Sequence, residues 1–415
     1  MTKLCLLLGL FCGLAGFVYG EGLDDALDRA GDALRLSSDD GQYAARLSGT
    51  LDLEAYALQQ PAQGLLYTER RTLLNPRLSL FLDATAGERA YVFVQVRGDR
   101  GFDPSSDGLR VRADEYAARF AIVPDRSWSV QVGKFATVVG NWVKHHRSWE
   151  DPFITAPVPY NTLTPMWDGV PAESLDVLRH WAHFPPSRPT YEDMERQIPI
   201  VWGPSYATGV ALLGRFERWS VDLEMKNASL SSRPETWDPS DALWKNPTVS
   251  GRIGYSPNVM WSMGLSFSDG VYLKPDAIAL AREARSLSSY RQYVVGYDLA
   301  FAHHHLQVSA EAYATRFEVP GAGDLDALSY YLEASYRVAP QLTLALRWGE
   351  LRYGHATDGA GESLSWGHDT SRIDFAPTWR LSAHLQLKLQ YSLQHEEQST
   401  QTWNHLGAAQ LTLRF

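Results

Sequence analysis

The sequence predicts an all-β fold: a closed antiparallel transmembrane β-barrel of about 16 strands, with a short N-terminal helix and one long inserted connection, its third outer loop. Three observations predict it. Segments of roughly ten residues alternate apolar and polar side chains, the pattern of strands with one dry and one wet face. The links between them alternate between tight turns and longer loops, as they do where strands cross a bilayer in both directions. Residues 403–415 place Leu411, Leu413 and Phe415 on one face and Gln410, Thr412 and Arg414 on the other. A strand with that face needs a partner, because a free end would fray into water.

Composition narrows the compartment. The chain has 415 residues, 45% of them hydrophobic and 12% aromatic, and a mean hydropathy of −0.27. Residues 1–20 combine Lys3, an apolar run over 4–18 and the small residue Gly20, which reads as a signal peptide cleaved before Glu21. Cys5 and Cys12 both fall inside it, so the exported chain is expected to carry no thiol and to gain stability from closed strand pairing instead of disulfides. Past that segment no apolar run reaches the roughly 18 residues of a membrane helix. The net charge of −10 is spread without a basic stripe, which argues against a nucleic-acid partner.

The elements follow in order. Residues 21–43 form a periplasmic lead-in, with Leu23, Leu27, Ala30 and Leu34 at helical spacing opposite Asp24, Asp25 and Asp28. From 44 to 415 the alternation runs through 47–55, 77–84, 91–98, 114–123 and 128–137, then 206–216, 219–227, 248–255, 259–268, 291–302, 306–316, 328–338, 342–352, 372–381, 385–393 and 403–415. Near Gly133 the phase slips, so Lys134 points to the apolar side unless a bulge redirects it. Reading back from residue 415, the links at 382–384, 339–341 and 303–305 are short, and those at 353–371, 317–327 and 269–290 are longer. Trp128, Trp219, Trp261, Tyr336, Trp379 and Phe415 stand next to short turns or an end, where an interfacial aromatic girdle belongs.

About sixteen strands enclose a lumen wide enough for water. The inward phase carries Asp52, Glu54, Asp83, Arg97, Arg215, Asp222, Glu224, Arg252, Asp298, Glu311, Glu333, Arg337, Arg347, Asp374, Arg380 and Lys388. So many charges inside a dry sandwich would be prohibitive. The last five strands lean basic inside, through Arg337, Arg347, Arg372, Arg380 and Lys388, which predicts a mild anion preference.

With its alternating strands and terminal Phe415, the chain resembles bacterial outer-membrane porins. In general porins the third outer loop folds inward to form the constriction, and here the longest connection, 138–205, stands in that place. The resemblance implies an outer-membrane channel for passive diffusion of small polar solutes or ions, in contact with lipid and assembled as a homotrimer. Within 138–205, Lys144, Arg147, Glu150, Asp151 and Arg179 are the candidate constriction charges, with Arg97, Arg252, Arg337, Arg347, Arg380 and Lys388 as candidate lumen charges. The stretch 130–135, Val-Gln-Val-Gly-Lys-Phe, resembles the strand of phosphate-selective porins of the O and P type, in which Gly-Lys-Phe precedes the inserted loop. That likeness implies a place near the channel for Lys134.

No catalytic or cofactor site is nominated. His180 and His183 lack a recognisable third metal ligand, and no Ser stands with a His and an orienting acid. The chain therefore reads as a non-enzyme, without metal or cofactor. Two alternatives stay open: a plugged barrel serving as a structural protein or adhesin, with 138–205 filling the pore, and a soluble β-rich binding protein.

Overall fold

The computed structural model describes residues 21–100, 108–183, 197–234, 244–281, 285–397 and 403–415. The expected signal peptide at 1–20 lies outside them. The first elements are helix α1 (Glu21–Ala33) and a three-residue strand, β1 (Arg35–Ser37). Five long strands follow: β2 (Tyr43–Leu58), β3 (Thr72–Ala86), β4 (Ala90–Asp99), β5 (Arg110–Ala121) and β6 (Trp128–Phe135). After the inserted segment come β7 (Ala207–Phe216), β8 (Trp219–Lys226), β9 (Thr248–Asn258), β10 (Trp261–Val271), β11 (Arg291–His303), β12 (Leu306–Val319), β13 (Gly323–Ala339) and β14 (Leu342–Tyr353). A small outer hairpin, β15 (His355–Thr357) and β16 (Ser363–Ser365), precedes β17 (Thr370–Arg380), β18 (Leu385–Glu396) and β19 (Asn404–Arg414).

Strands β2 to β14 and β17 to β19 form the wall, a closed ring of 16 antiparallel strands as the alternation predicts. Each pairs with its neighbour in sequence, and β19 returns to β2 with Leu413 opposite Leu51 and Gln410 opposite Glu54. Past the end of that ladder β1 takes over the edge of β2, with Arg35 opposite Arg46. Closure leaves no open sheet edge among these strands, the condition for backbone to sit in hydrocarbon. Helix α1 is fixed at the short turn between β17 and β18: Ser382 donates to Asp24 at 2.7 Å, and His384 Nε2 lies 3.0 Å from Asp28.

The alternation sorts side chains as period two requires. On β10, Leu265 and Phe267 are exposed outward while Ser266 and Ser268 are buried inside. Trp219 stays 53% exposed beside a short turn with its ring against Tyr255, and Trp261 packs likewise on Phe301. One link differs from its expectation. The connection expected at 317–327 is the tight turn 320–322, because β12 and β13 pair out to Val319 and Gly323. Phe317 and Leu325 are opposite each other and almost fully buried, and Arg316 bridges to Asp326 at 2.7 Å, so the ladder continues past the ten residues a bilayer needs.

Candidate functional site

The largest apolar cluster lies inside the ring. It is made where residues between β6 and β7 meet the inner wall, with Tyr160, Met166, Leu178, Ile198, Val201 and Trp202 packed among Tyr313, Phe317, Tyr331 and Trp366. The inserted segment is therefore folded into the barrel. It contains a 3-10 turn (Trp142–Lys144), helix α2 (Val158–Asn161) and helix α3 (Leu175–His183). Its Pro-rich stretch suits this: Pro157 ends the extended chain, and Pro159 falls in the first turn of α2, where no amide hydrogen is needed.

Polar bonds hold the segment to strands around much of the ring. On β12, Glu311 accepts the backbone amides of Asn141 and Trp142, each at 2.6 Å, and the Tyr160 hydroxyl. On β8, Glu224 accepts the Thr137 hydroxyl at 2.6 Å. On β18, Gln390 accepts the Ile154 amide at 2.7 Å, and Lys388 donates to the carbonyls of Ser148 and Asp151. Arg347 on β14 donates to the Thr155 carbonyl at 2.7 Å, and Arg372 on β17 to Asn161 at 3.0 Å. All but the neutral Gln390 bond are charge-assisted, in a confined space where each unmade partner is costly.

Several wall charges are paired locally. Arg252 forks onto Asp298 at 2.8 and 2.6 Å. Arg347, 1% exposed, lies 2.8 Å from Asp374 and 3.6 Å from Glu333, with its guanidinium over Phe153. Arg97 pairs with Asp114 at 2.8 Å, and Arg77 bridges Asp52 at 3.1 Å and Glu54 at 2.6 Å. Arg77, with Arg112 between Asp99 and Asp114, is absent from the candidate set read from sequence. Arg77 opens the predicted strand 77–84, and the structure sets it opposite Asp52. Reading the period-two pattern back one step from Ser79 would have found it. A cavity of about 170 Å³ runs between this part of the wall (Glu54, Arg77, Arg97, Asp99) and His146 and Asp151 of the insert.

The remaining candidates separate into two groups. Lys388 and Asp151 are buried at the contact between insert and wall, and Asp151 accepts Trp142 Nε1 at 2.9 Å. Lys134 is buried in β6, with Tyr116 and Thr208 opposite, and donates to the Ala113 carbonyl at 3.1 Å. Gly133 before it takes φ +139, and β6 pairs with β5 and β7 in unbroken register through it, so Lys134 is turned inward without the bulge that the phase slip suggested. Arg179, on α3, donates to the Ser365 carbonyl of the outer hairpin at 3.2 Å, which sets it on the outer side of the insert.

Lys144, Arg147, Glu150, Arg337 and Arg380 are exposed to the lumen. None of these four cations has a carboxylate partner among the described residues. Arg147 lies over the Phe81 ring at 4.5 Å, and Arg380 over Trp149 at 5.5 Å. Glu150, Glu333, Arg337 and Arg380 line a cavity of about 660 Å³ that extends to the short-turn end of the barrel. Lys144 projects into water yet is enclosed by the wall, and that enclosure pushes its pKa down to about 8, with Arg252 adding to the effect. His146 is enclosed further and falls to about 3. Its Nδ1 faces the Val143 carbonyl at 2.5 Å and so carries the hydrogen, leaving Nε2 to accept from the Tyr206 hydroxyl at 2.8 Å. Asp168, 2% exposed, is pushed up to about 6 by burial despite Lys274 at 3.3 Å. Among the described residues no cluster of His, Cys, Asp and Glu is arranged to hold a metal.

No protein-family model matches the chain, and no curated protein sequence matches it. Solved structures do. OmpT, an outer membrane protein of Vibrio cholerae, superposes with a TM-score of 0.54 at 9% identity, over 92% of this chain and 99% of that one. The anion-selective porin from Comamonas acidovorans gives 0.51 at 12% identity, over 90% and 100%. The outer membrane channel DcaP of Acinetobacter baumannii gives 0.54 at 10% identity, over 92% and 99%. At these identities the likeness is one of architecture: the chain shares the 16-stranded barrel fold of bacterial outer-membrane porins and channels.

Proposed function

We propose that the protein is a porin of the bacterial outer membrane, a water-filled path for passive diffusion of small polar solutes with a preference for anions. The observation that carries this reading is the set of lumen cations without a carboxylate partner among the described residues, Lys144, Arg147, Arg337 and Arg380, in a ring where Arg252 and Arg347 are paired with wall acids. Unpaired cations in a confined aqueous path lower the barrier for anions and raise it for cations. The outward band of Leu, Val and aromatic side chains supports contact with lipid. Export by cleavage of residues 1–20 and assembly as a homotrimer complete the reading. The Vibrio cholerae OmpT was also solved in a trimer form. Orthophosphate is the anion to test first, because the stretch around Lys134 resembles the O and P type.

Single-channel recording of the purified chain in planar bilayers tests the reading. Stepwise currents with a reversal potential on the anion side of zero in a salt gradient are expected. A silent barrel that conducts only after residues 138–205 are replaced by a short turn would overturn it in favour of a plugged structural barrel. The many bonds between insert and wall are the observation behind that second reading. Cross-linking in detergent reads the trimer separately.

A further inference from the structure

Trp149 lies on the insert where the lumen opens toward the short-turn end. Two guanidiniums lie over its ring, Arg414 of β19 at 4.1 Å and Arg380 of β17 at 5.5 Å from the centroid. Strand β18 separates the two arginines in the wall, so the indole bridges them across a strand. Arg414 also donates through Nε to the Ala383 carbonyl at 2.9 Å, which fixes its plane. Neither arginine has a carboxylate partner among the described residues, and both are exposed. The charges acting on Arg414 are those of Arg380 and Arg46, both positive. Arg337 lines the same space as Arg380 and Trp149; the carboxylates there are Glu150 and Glu333, and Glu333 already faces Arg347.

A guanidinium stacked on an aromatic ring keeps its N–H edges free and loses little freedom when they are used. Two such forks beside a third cation, neither of them ion-paired among the described residues, repel one another in the empty state. An anion of two charges relieves that repulsion and satisfies both forks together.

Building on the channel reading, we propose that Arg380, Arg414 and Trp149 form an oxyanion subsite at the periplasmic mouth. It takes a small doubly charged oxyanion in preference to chloride. The chemistry is shared by tetrahedral ions and by dicarboxylates, and the test separates them.

The test is calorimetric titration of the folded full chain in detergent with sulfate, orthophosphate or succinate, at constant ionic strength over a chloride background. Saturable binding is expected, weakened by about tenfold or more in the double variant R380Q/R414Q. Binding of sulfate and phosphate alone assigns tetrahedral ions, and binding of succinate alone assigns dicarboxylates. The variant R380K/R414K keeps both charges without the forks and is expected to bind several-fold more weakly than the parent. It carries the test if the Gln variant fails to fold. Absence of saturable binding, or equal affinity in parent and variants, overturns the subsite. Because the readout is equilibrium binding, that failure is distinct from a silent barrel in the bilayer experiment, which would sink only the channel reading.

Discussion

The Glu311 carboxylate accepts the Trp142 backbone N–H at 2.6 Å, and through this bond strand β12 fixes the first turn of the inserted segment. The same carboxylate accepts the Asn141 amide at 2.6 Å and the hydroxyls of Tyr160 and Tyr313. A single wall residue thus holds the insert at two places along its length. Bonds to a charged acceptor contribute about 1.5–3 kcal/mol each when buried. The variant Glu311→Ala is expected to leave the ring closed while loosening the insert. Larger and noisier single-channel currents would register this, and an unchanged current trace would contradict it.

Buried and exposed arginines of the lumen are expected to differ in their effect on stability. Arg347 is enclosed between Asp374 and Glu333. Removing it as Arg347→Gln strands a buried charge, at about 3–5 kcal/mol. Arg147 lies over the Phe81 ring and has no ion-pair partner among the described residues, so Arg147→Gln should change stability by about 0.5 kcal/mol or less while lowering anion preference. Denaturant titration of the two variants in detergent, alongside reversal potentials, separates these effects.

Alkaline pH is expected to weaken anion preference. Enclosure disfavours the ammonium of Lys144 and brings its pKa to about 8, so the charge is present at pH 7 and mostly lost at pH 9. Its charged neighbours, Arg252, Arg215, Asp222 and Asp298, are paired among themselves through Arg252–Asp298 and Arg215–Asp222. The anion-to-cation permeability ratio should therefore fall as pH rises from 7 to 9. In Lys144→Gln it should start lower and show no step there.

The outer surface should reject charge where the inner one accepts it. Leu265 on β10 is 57% exposed on the outward face, and Ser262 lies on the same strand beside the inner cavity. Leu265→Arg is expected to cost about 2–4 kcal/mol at mid-bilayer depth and to lower the yield of folding into lipid vesicles. Ser262→Arg should fold normally. Equal yields would contradict the assignment of faces.

The strand count and ring closure were legible because period-two alternation repeats along each strand, as in Leu78, Leu80 and Leu82 of β3. The inward or outward phase of Arg252, Arg347 and Asp374 followed from the same rule. Their pairing did not, because which acid meets which guanidinium depends on register across separate strands. The candidate constriction was less legible still. Lys144, Arg147 and Arg179 look alike in sequence, yet two are exposed in the lumen and the third bonds to an outer hairpin, since irregular chain offers no period from which to read direction. Arg77, the first residue of the predicted strand 77–84, was legible by the period-two rule but not singled out. Strand β1 was hidden by its brevity, for three residues cannot display an alternation.

Phe135 and Ala207 face each other as the last rung of the β6–β7 ladder, so the excursion from 138 to 205 leaves and re-enters the wall at adjacent positions. The staves below that rung are hydrogen-bonded from edge to edge without any help from it. Backbone closure of the cylinder and the fold of the inner stretch are thus written in separable parts of the chain, and exchange of the inner stretch is expected to leave the hydrogen-bonded ring of staves in place.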